Sequence, residues 1–254
     1  MSDDIPDYAA DRSLKGKLRR RFARLMARRP APCGPERPTV SFSFDDAPAT
    51  AVEQGAAILE AAGLRGTYFV AAGLAGRIGV MGRDATGEEL MTAHRAGHEL
   101  ACHTFSHLDC GQAARAQIVS DAARNSDAFR AWGAPPPTTF AYPYGDVSVA
   151  AKRALGGRFG VLRALHHGLI GTGSDLNQAP AVGIEGSDGE AIASAWIDRA
   201  AQANAWLILY THDVTDQPSP FGCTPDALKR LVDEALEAGC EVVTVAEGAK
   251  RVAA

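Results

Sequence analysis

The sequence predicts an α/β fold, a parallel sheet curled into a barrel and covered by helices. Short β-rich runs alternate with helical patterns from residue 39 onward, the signature of parallel strands joined by helical crossovers. Seven or eight such strand–helix units fit a barrel better than an open sheet. Several of the helical patterns stop at a glycine (Gly63, Gly97, Gly239), the residue that most easily closes a helix.

Along the chain, residues 1–12 are polar. Residues 13–29 set Leu14, Leu18, Phe22, Leu25 and Met26 three or four apart, which is one face of a helix. Residues 30–38 hold four prolines, which exclude a helix or an inner strand, so this stretch reads as a linker and the main domain as residues 39–254. A β-rich alternation at 39–44 predicts the first strand, and the apolar periodicity of 50–62 predicts a helix closed by Gly63. Strand 67–70, helix 86–96, strand 98–102 and a long helix over 112–132 follow. Strand 138–141, helix 147–155 and strand 159–162 come next, then strand 182–184 and helix 189–203. The apolar run 206–210 reads as a buried strand, 224–238 as a helix closed by Gly239, and 241–245 as a last strand.

Composition narrows the function. The chain has 254 residues, 46% hydrophobic and 22% charged, which is globular. No uncharged apolar run reaches the length of a membrane span. The first residues, Met1-Ser2-Asp3-Asp4-Ile5, are acidic where a secretory signal would be basic and then apolar, and the five cysteines include no CxxC pair. Both features lead us to expect a cytoplasmic protein. Residues 12–29 carry nine basic side chains and no acid. Removing those nine from the net charge of −4 leaves about −13 on the rest, a body that repels nucleic acid.

The chemistry should lie where barrel strands end. The first strand runs out in Asp45-Asp46-Ala47-Pro48. Two adjacent carboxylates leaving a buried strand each need a partner, although a turn with a helix N-cap is the plainer reading. The strand at 98–102 ends in His103-Thr104-Phe105-Ser106-His107. A spacing of four on one helical turn would put both imidazoles within reach of one metal ion. A second His-xxx-His, His94 and His98, spans Gly97, so its rings should diverge; His94 reads as a solvated helix residue and His98 as structural. One carboxylate with two imidazoles leaves an open position, as in a catalytic zinc site. Strand 138–141 runs into Tyr142-Pro143-Tyr144-Gly145-Asp146, and strand 206–210 into Thr211-His212-Asp213.

The order Phe44-Asp45-Asp46, His103-Thr104-Phe105-Ser106-His107, Phe140-Ala141-Tyr142-Pro143-Tyr144-Gly145 and Thr211-His212-Asp213 resembles the polysaccharide deacetylases of carbohydrate esterase family 4, the NodB-homology group. The resemblance spans about residues 39–250, and the missing signal and diverged motifs narrow it to the cytoplasmic deacetylase of holdfast-type adhesin synthesis. It implies a distorted (β/α)7 barrel and removal of N-acetyl groups from N-acetylglucosamine-type units of a polysaccharide or lipid-linked oligosaccharide. By the same resemblance Asp46, His103 and His107 are metal ligands, with zinc expected and cobalt or nickel also suited. Asp45 is the base that deprotonates metal-activated water, His212 is the acid, and the Tyr144 N–H helps to hold the oxyanion.

Two positions depart from the family pattern. An arginine usually precedes the Pro-Tyr step where this chain has Ala141, and a leucine usually stands where it has Tyr210. Arg163, expected just past strand 159–162, is the replacement candidate, with a solvated loop arginine as the plainer reading; His166 and His167 could line the groove. No GxSxG elbow, P-loop or GxGxxG occurs at a strand-to-helix turn, which excludes serine hydrolases, nucleotidases and nicotinamide enzymes. The alternatives left are a deformylase or amidohydrolase of the same superfamily and a non-catalytic glycan-binding module. The basic segment 13–29 could pack its apolar stripe on the barrel, join two subunits in a homodimer, or lie on the anionic inner face of the membrane.

Overall fold

A computed structural model describes residues 14–253; residues 1–13 and 254, and the side chains of Leu14, Lys15 and Lys17, lie outside the described residues. The chain runs through α1 (Leu14–Leu25), β1 (Thr39–Asp45), a wide helical turn (Ala51–Gly55) continuing into α2 (Ala56–Ala61), and β2 (Thr67–Val70). A small ribbon of β3 (Ile78–Gly79) and β4 (Gly82–Arg83) precedes α3 (Gly87–Arg95), β5 (Glu99–Cys102) and α4 (Arg115–Trp132). Then come β6 (Phe140–Ala141), α5 (Val149–Leu155), β7 (Leu162–Arg163), β8 (Val182–Gly183), α6 (Gly189–Ala203) and β9 (Trp206–Thr211). The chain ends with α7 (Pro225–Glu237), β10 (Glu241–Val242) and α8 (Val245–Arg251).

The sheet order is β7-β6-β5-β2-β1-β9-β8, parallel throughout, with β10 added beside β1. β1 is the centre, buried at all seven positions and paired with β9 from Thr39↔Trp206 to Phe44↔Thr211. Its other neighbours divide its length, β10 at Thr39 and Val40 and β2 at Ser43 to Asp45. The segment leading into β8 bridges back to β7 at Arg163↔Ala179, so the sheet curls into a distorted half-barrel rather than lying open.

Inside the curl lie Phe69, Ala101, Ala141, Ala179, Ile208 and Tyr210. Helices cover the outside through residues such as Leu59, Leu90, Ile197, Leu228 and Leu231, each contributing about 1.5–3 kcal/mol by burial. The three alanines inside leave room near the barrel's rim, and that room is used by the site.

Four details differ from the expectation. The helix at 51–61 opens with a wide turn where Gly55 passes Phe44, so closely that a Cβ there would sit 2.9 Å from the ring. Strand 159–162 is displaced to Leu162–Arg163, because Phe159 turns outward to pack on Phe140. The last strand stops at Val242, and Thr244 instead caps α8, its Oγ1 accepting from Glu247 N at 3.3 Å.

The fourth concerns α1, whose apolar stripe does not pack on the barrel. Leu18, Phe22, Leu25 and Met26 are exposed, while Gly16 and Ala23 are buried. Polar anchoring explains the reversal. Arg19 pairs with Asp146, and the buried Lys152 donates to Ala23 O at 2.5 Å and to Asp175 at 2.6 Å. Small residues on this face let the helix approach closely enough for those bonds. Residues 30–38 lie against the body as well, with Ala31 N donating to Ser174 O at 2.8 Å and Gly173 N to Ala31 O at 2.8 Å. Among the described residues, no helix is long and apolar enough to cross a membrane.

Candidate active site

The strand ends converge on one rim. Asp46, His103 and His107 each offer a ligand atom, and the three atoms lie within 4.8 Å of one another. Asp46 Oδ1 is 3.3 Å from His107 Nε2 and 3.8 Å from His103 Nε2, yet it is buried without a hydrogen-bond partner. A buried carboxylate oxygen left unbonded between two imidazole nitrogens fits a divalent cation, which would supply the missing partner. His103 is prepared as a ligand. Its Nδ1 is 2.9 Å from Ala141 O, which fixes the proton there and turns Nε2 inward. Burial, followed by the neighbouring His107, pushes its pKa down to about 4, so the ring is neutral near pH 7.

The two histidines do not share a helical turn, contrary to the sequence expectation. Residues 103–107 form a loop in which Thr104 and His107 adopt left-handed backbone angles (φ 60° and 55°). The loop is held by Asp121 on α4, whose Oδ2 accepts from Phe105 N and Ser106 N, both at 2.9 Å. Thr104 Oγ1 accepts from Leu108 N at 2.8 Å. Asp46 (φ 59°), Ala47 (φ 50°) and Tyr144 (φ 59°) are also left-handed. Five of the seven described non-glycine residues with positive φ therefore lie in these rim loops. Such backbone costs about 1–3 kcal/mol per residue and persists where the surroundings over-determine it, commonly at functional sites.

Beside the triad, Asp45 is buried and ion-paired with Arg163. Arg163 was expected on a loop; it is instead the last residue of β7 and fully buried, with its guanidinium carbon 4.9 Å from the Phe69 ring centroid and 5.2 Å from that of Tyr210. Burial alone would raise the Asp45 pKa, but the Arg163 guanidinium, through its charge and its hydrogen bond, leads the opposing influences that hold the pKa below the usual carboxylate range. His212 follows β9, its Nδ1 3.2 Å from Phe221 O. The Tyr144 ring stands edge-on to His107, centroids 4.4 Å apart.

A model of the polysaccharide deacetylase family matches residues 34–159, a stretch that holds Asp45, Asp46, both histidines of the triad and the Tyr142–Asp146 turn. The chain belongs to that family. Solved structures agree on the fold. A Mycobacterium smegmatis protein assigned as a polysaccharide deacetylase superposes with a TM-score of 0.68 at 17% identity, covering 88% of this chain and 95% of its own. The chitin deacetylase of Colletotrichum lindemuthianum gives 0.59 at 18% identity over 85% and 89%. A family 4 acetyl xylan esterase from Clostridium thermocellum, solved with a cobalt ion, gives 0.57 at 20% identity over 83% and 89%. No curated protein sequence matches the chain in a sequence search.

In this chain, Ala141 and Arg163 are register partners on adjacent parallel strands, so their side chains enter the barrel from neighbouring positions. An arginine at 163 can therefore reach Asp45 across the space that Ala141 leaves. His166 and His167 take no part in this cluster: His166 lines a cavity beside α1, and His167 stands edge-on to Trp196.

Three residues were missed by sequence reasoning. Glu185 lies 3.8 Å from His212 Nδ1 through Oε2 and accepts from Tyr210 Oη at 2.9 Å through Oε1. It follows the strand end at Val182–Gly183, a placement already used to select Asp45, so the signal was present. Asp84 stands near Asp46, and burial together with the Asp46 charge pushes its pKa up to about 7. Asp121 sits within α4 and carries no motif; only the fold brings it beneath the histidine loop.

Proposed function

We propose that the protein is a metal-dependent N-deacetylase, releasing acetate from N-acetylglucosamine-type units of a glycan. The observation that carries this reading is the Asp46–His103–His107 cluster, open beside a buried carboxylate that Arg163 keeps ionised. Asp46, His103 and His107 would hold the ion; imidazole and carboxylate donors suit zinc, with cobalt and nickel as further fits. When bound, the ion supplies Lewis acidity, easing deprotonation of water and polarising the amide carbonyl.

The chain's own groups do the rest. Asp45 accepts a proton from the attacking water as its oxygen bonds to the amide carbon. The Tyr144 N–H donates to the oxygen that gains charge, a contribution worth about 3–4 kcal/mol for single donors of this kind. His212 delivers a proton to the nitrogen as the C–N bond breaks, leaving acetate and a free amine. Arg163 holds Asp45 ionised and in place.

Residues 39–254 would form the catalytic domain, with 30–38 fastening α1 to its side. Cys102, Cys110, Cys223 and Cys240 are buried and form no disulfide among the described residues, which supports a reducing compartment. The exposed stripe of Leu18, Phe22, Leu25 and Met26 is accompanied by the exposed Arg21 and Arg28, which suits the anionic inner face of the cytoplasmic membrane, where each cation near the surface adds about 1 kcal/mol. The test is acetate release from N-acetylglucosamine oligomers before and after chelation, with metal added back. Metal-dependent acetate release supports the reading. Release that survives complete chelation, or none from any N-acetylated glycan, contradicts it.

A further inference from the structure

Beside the catalytic rim, between α1 and the ends of β6 and β7, lies a cavity of about 170 Å³ lined by Arg20, Arg24, His166 and Gln178 with Gly145 and Ala164. Among the described residues, no acidic side chain lines it. The other cations near this face are neutralised, Arg19 by Asp146 and Lys152 by Asp175. Arg20 and Arg24, by contrast, have no ion pair among the described residues. Arg20 Nη1 and His166 Nδ1 are both buried without a hydrogen-bond partner among the described residues. Two guanidinium groups and an imidazole that converge on one cavity with unmet hydrogen-bonding capacity make a site for an anion with several acceptor oxygens.

The position says what the anion belongs to. Gly145 is the chain neighbour of Tyr144, and Ala164 of Arg163, so an anion held here is next to the catalytic groups rather than at a remote surface. A cavity of this volume holds about five or six waters, enough for a phosphoryl group. The opposite side of α1 carries the exposed apolar stripe. A substrate joining a glycan to a lipid through phosphate would present the phosphoryl group where Arg20 and Arg24 point and the lipid on the side where Leu18, Phe22 and Leu25 lie.

We propose that this cavity is a subsite for the phosphoryl group of a glycosyl-phosphate substrate. The proposal rests on the deacetylase reading for its substrate, but its binding test does not depend on turnover.

The full chain, its Arg20→Gln variant and its Arg24→Glu variant are titrated calorimetrically with N-acetylglucosamine, N-acetylglucosamine 1-phosphate, inorganic phosphate and glucuronate. Arg24 is exposed, so its charge reversal leaves the core intact, and thermal melting verifies both variants. The wild type is expected to bind the sugar phosphate about tenfold more tightly than the neutral sugar, with the advantage reduced below about threefold in both variants. It is also expected to bind the sugar phosphate more tightly than inorganic phosphate, which marks the glycosyl phosphate rather than the free ion as the ligand. Equal affinity for sugar phosphate and neutral sugar overturns the proposal, as does an advantage that both folded variants keep. Glucuronate binding as well as the sugar phosphate, or inorganic phosphate binding better, also overturns it. If the phosphate preference appears while N-acetylated oligomers release no acetate, the subsite stands and the deacetylase reading fails.

Discussion

Arg163 and Asp45, 118 residues apart in the chain, form an ion pair inside the barrel, with Arg163 fully buried against Phe69 and Tyr210. A carboxylate at the end of β1 could not remain charged there alone, and a guanidinium could not cross the interior without the small residues Ala101, Ala141 and Ala179 around its path. The pair therefore couples packing to chemistry. Removing one partner of such a buried pair costs about 3–5 kcal/mol, because the other is left uncompensated.

For the proposed reaction the sign of the pH effect follows. Asp45 works as a base only when ionised, and Arg163 lowers its pKa. Arg163→Ala should raise that pKa, so activity should fail at higher pH on the acidic side than in the wild type. Ala141→Arg in the Arg163→Ala background places a guanidinium at the register partner and should move the acidic limb back down. An unchanged acidic limb in Arg163→Ala, read from kcat/KM against pH, would remove Arg163 from the mechanism.

Asp121 should matter to a metal it never touches. It fixes the backbone of Phe105 and Ser106 between the two histidines, so Asp121→Ala should weaken metal binding about 10–100-fold, the usual effect of losing an outer support. Zinc affinity measured by chelator competition checks this.

Glu185 Oε2 lies 3.8 Å from His212 Nδ1, the ring nitrogen that also meets Phe221 O at 3.2 Å. Glu185→Gln should lower kcat roughly tenfold, about 1.4 kcal/mol in the barrier, with little change in KM. A rise in KM with kcat unchanged would make Glu185 a glycan contact instead.

The α1 stripe can be tested without cutting the helix away, which matters because Ala23 and Arg19 anchor it to the barrel. Leu18→Ser, Phe22→Ser and Leu25→Ser combined should abolish co-sedimentation with anionic vesicles at low salt while leaving thermal melting unchanged. Wild-type protein that stays in the supernatant but runs as a dimer, with the triple variant a monomer, would assign the stripe to a second subunit.

Much of this was legible from the sequence, and the gaps share a physical cause. The strand at 67–70 was read residue for residue, because a β-rich run lies between a glycine-bounded turn and a change of pattern. The four rim motifs stood at strand ends, where charged residues are costly without partners. What escaped was whatever depends on contacts between distant segments. Arg163 was placed outside its strand because two-residue strands carry no periodicity. The turn of the histidine loop is set by Asp121 on another element. Periodicity identified the face of α1 on which Leu18 and Phe22 lie but could not say which face the barrel would take; Arg19, Ala23 and Lys152 decided it.

The central claim is that Asp46, His103 and His107 hold one catalytic metal ion while Asp45 serves as base without holding it. Metal stoichiometry by mass spectrometry of purified wild type, Asp45→Asn and the His103→Ala, His107→Ala double variant, each assayed for acetate release, tests it most directly. The wild type should carry one divalent ion per chain and be active. Asp45→Asn should keep the ion and lose activity by about 10²–10⁴-fold, and the double variant should lose both. A double variant that retains its metal, or an Asp45→Asn enzyme with wild-type turnover, would contradict the account.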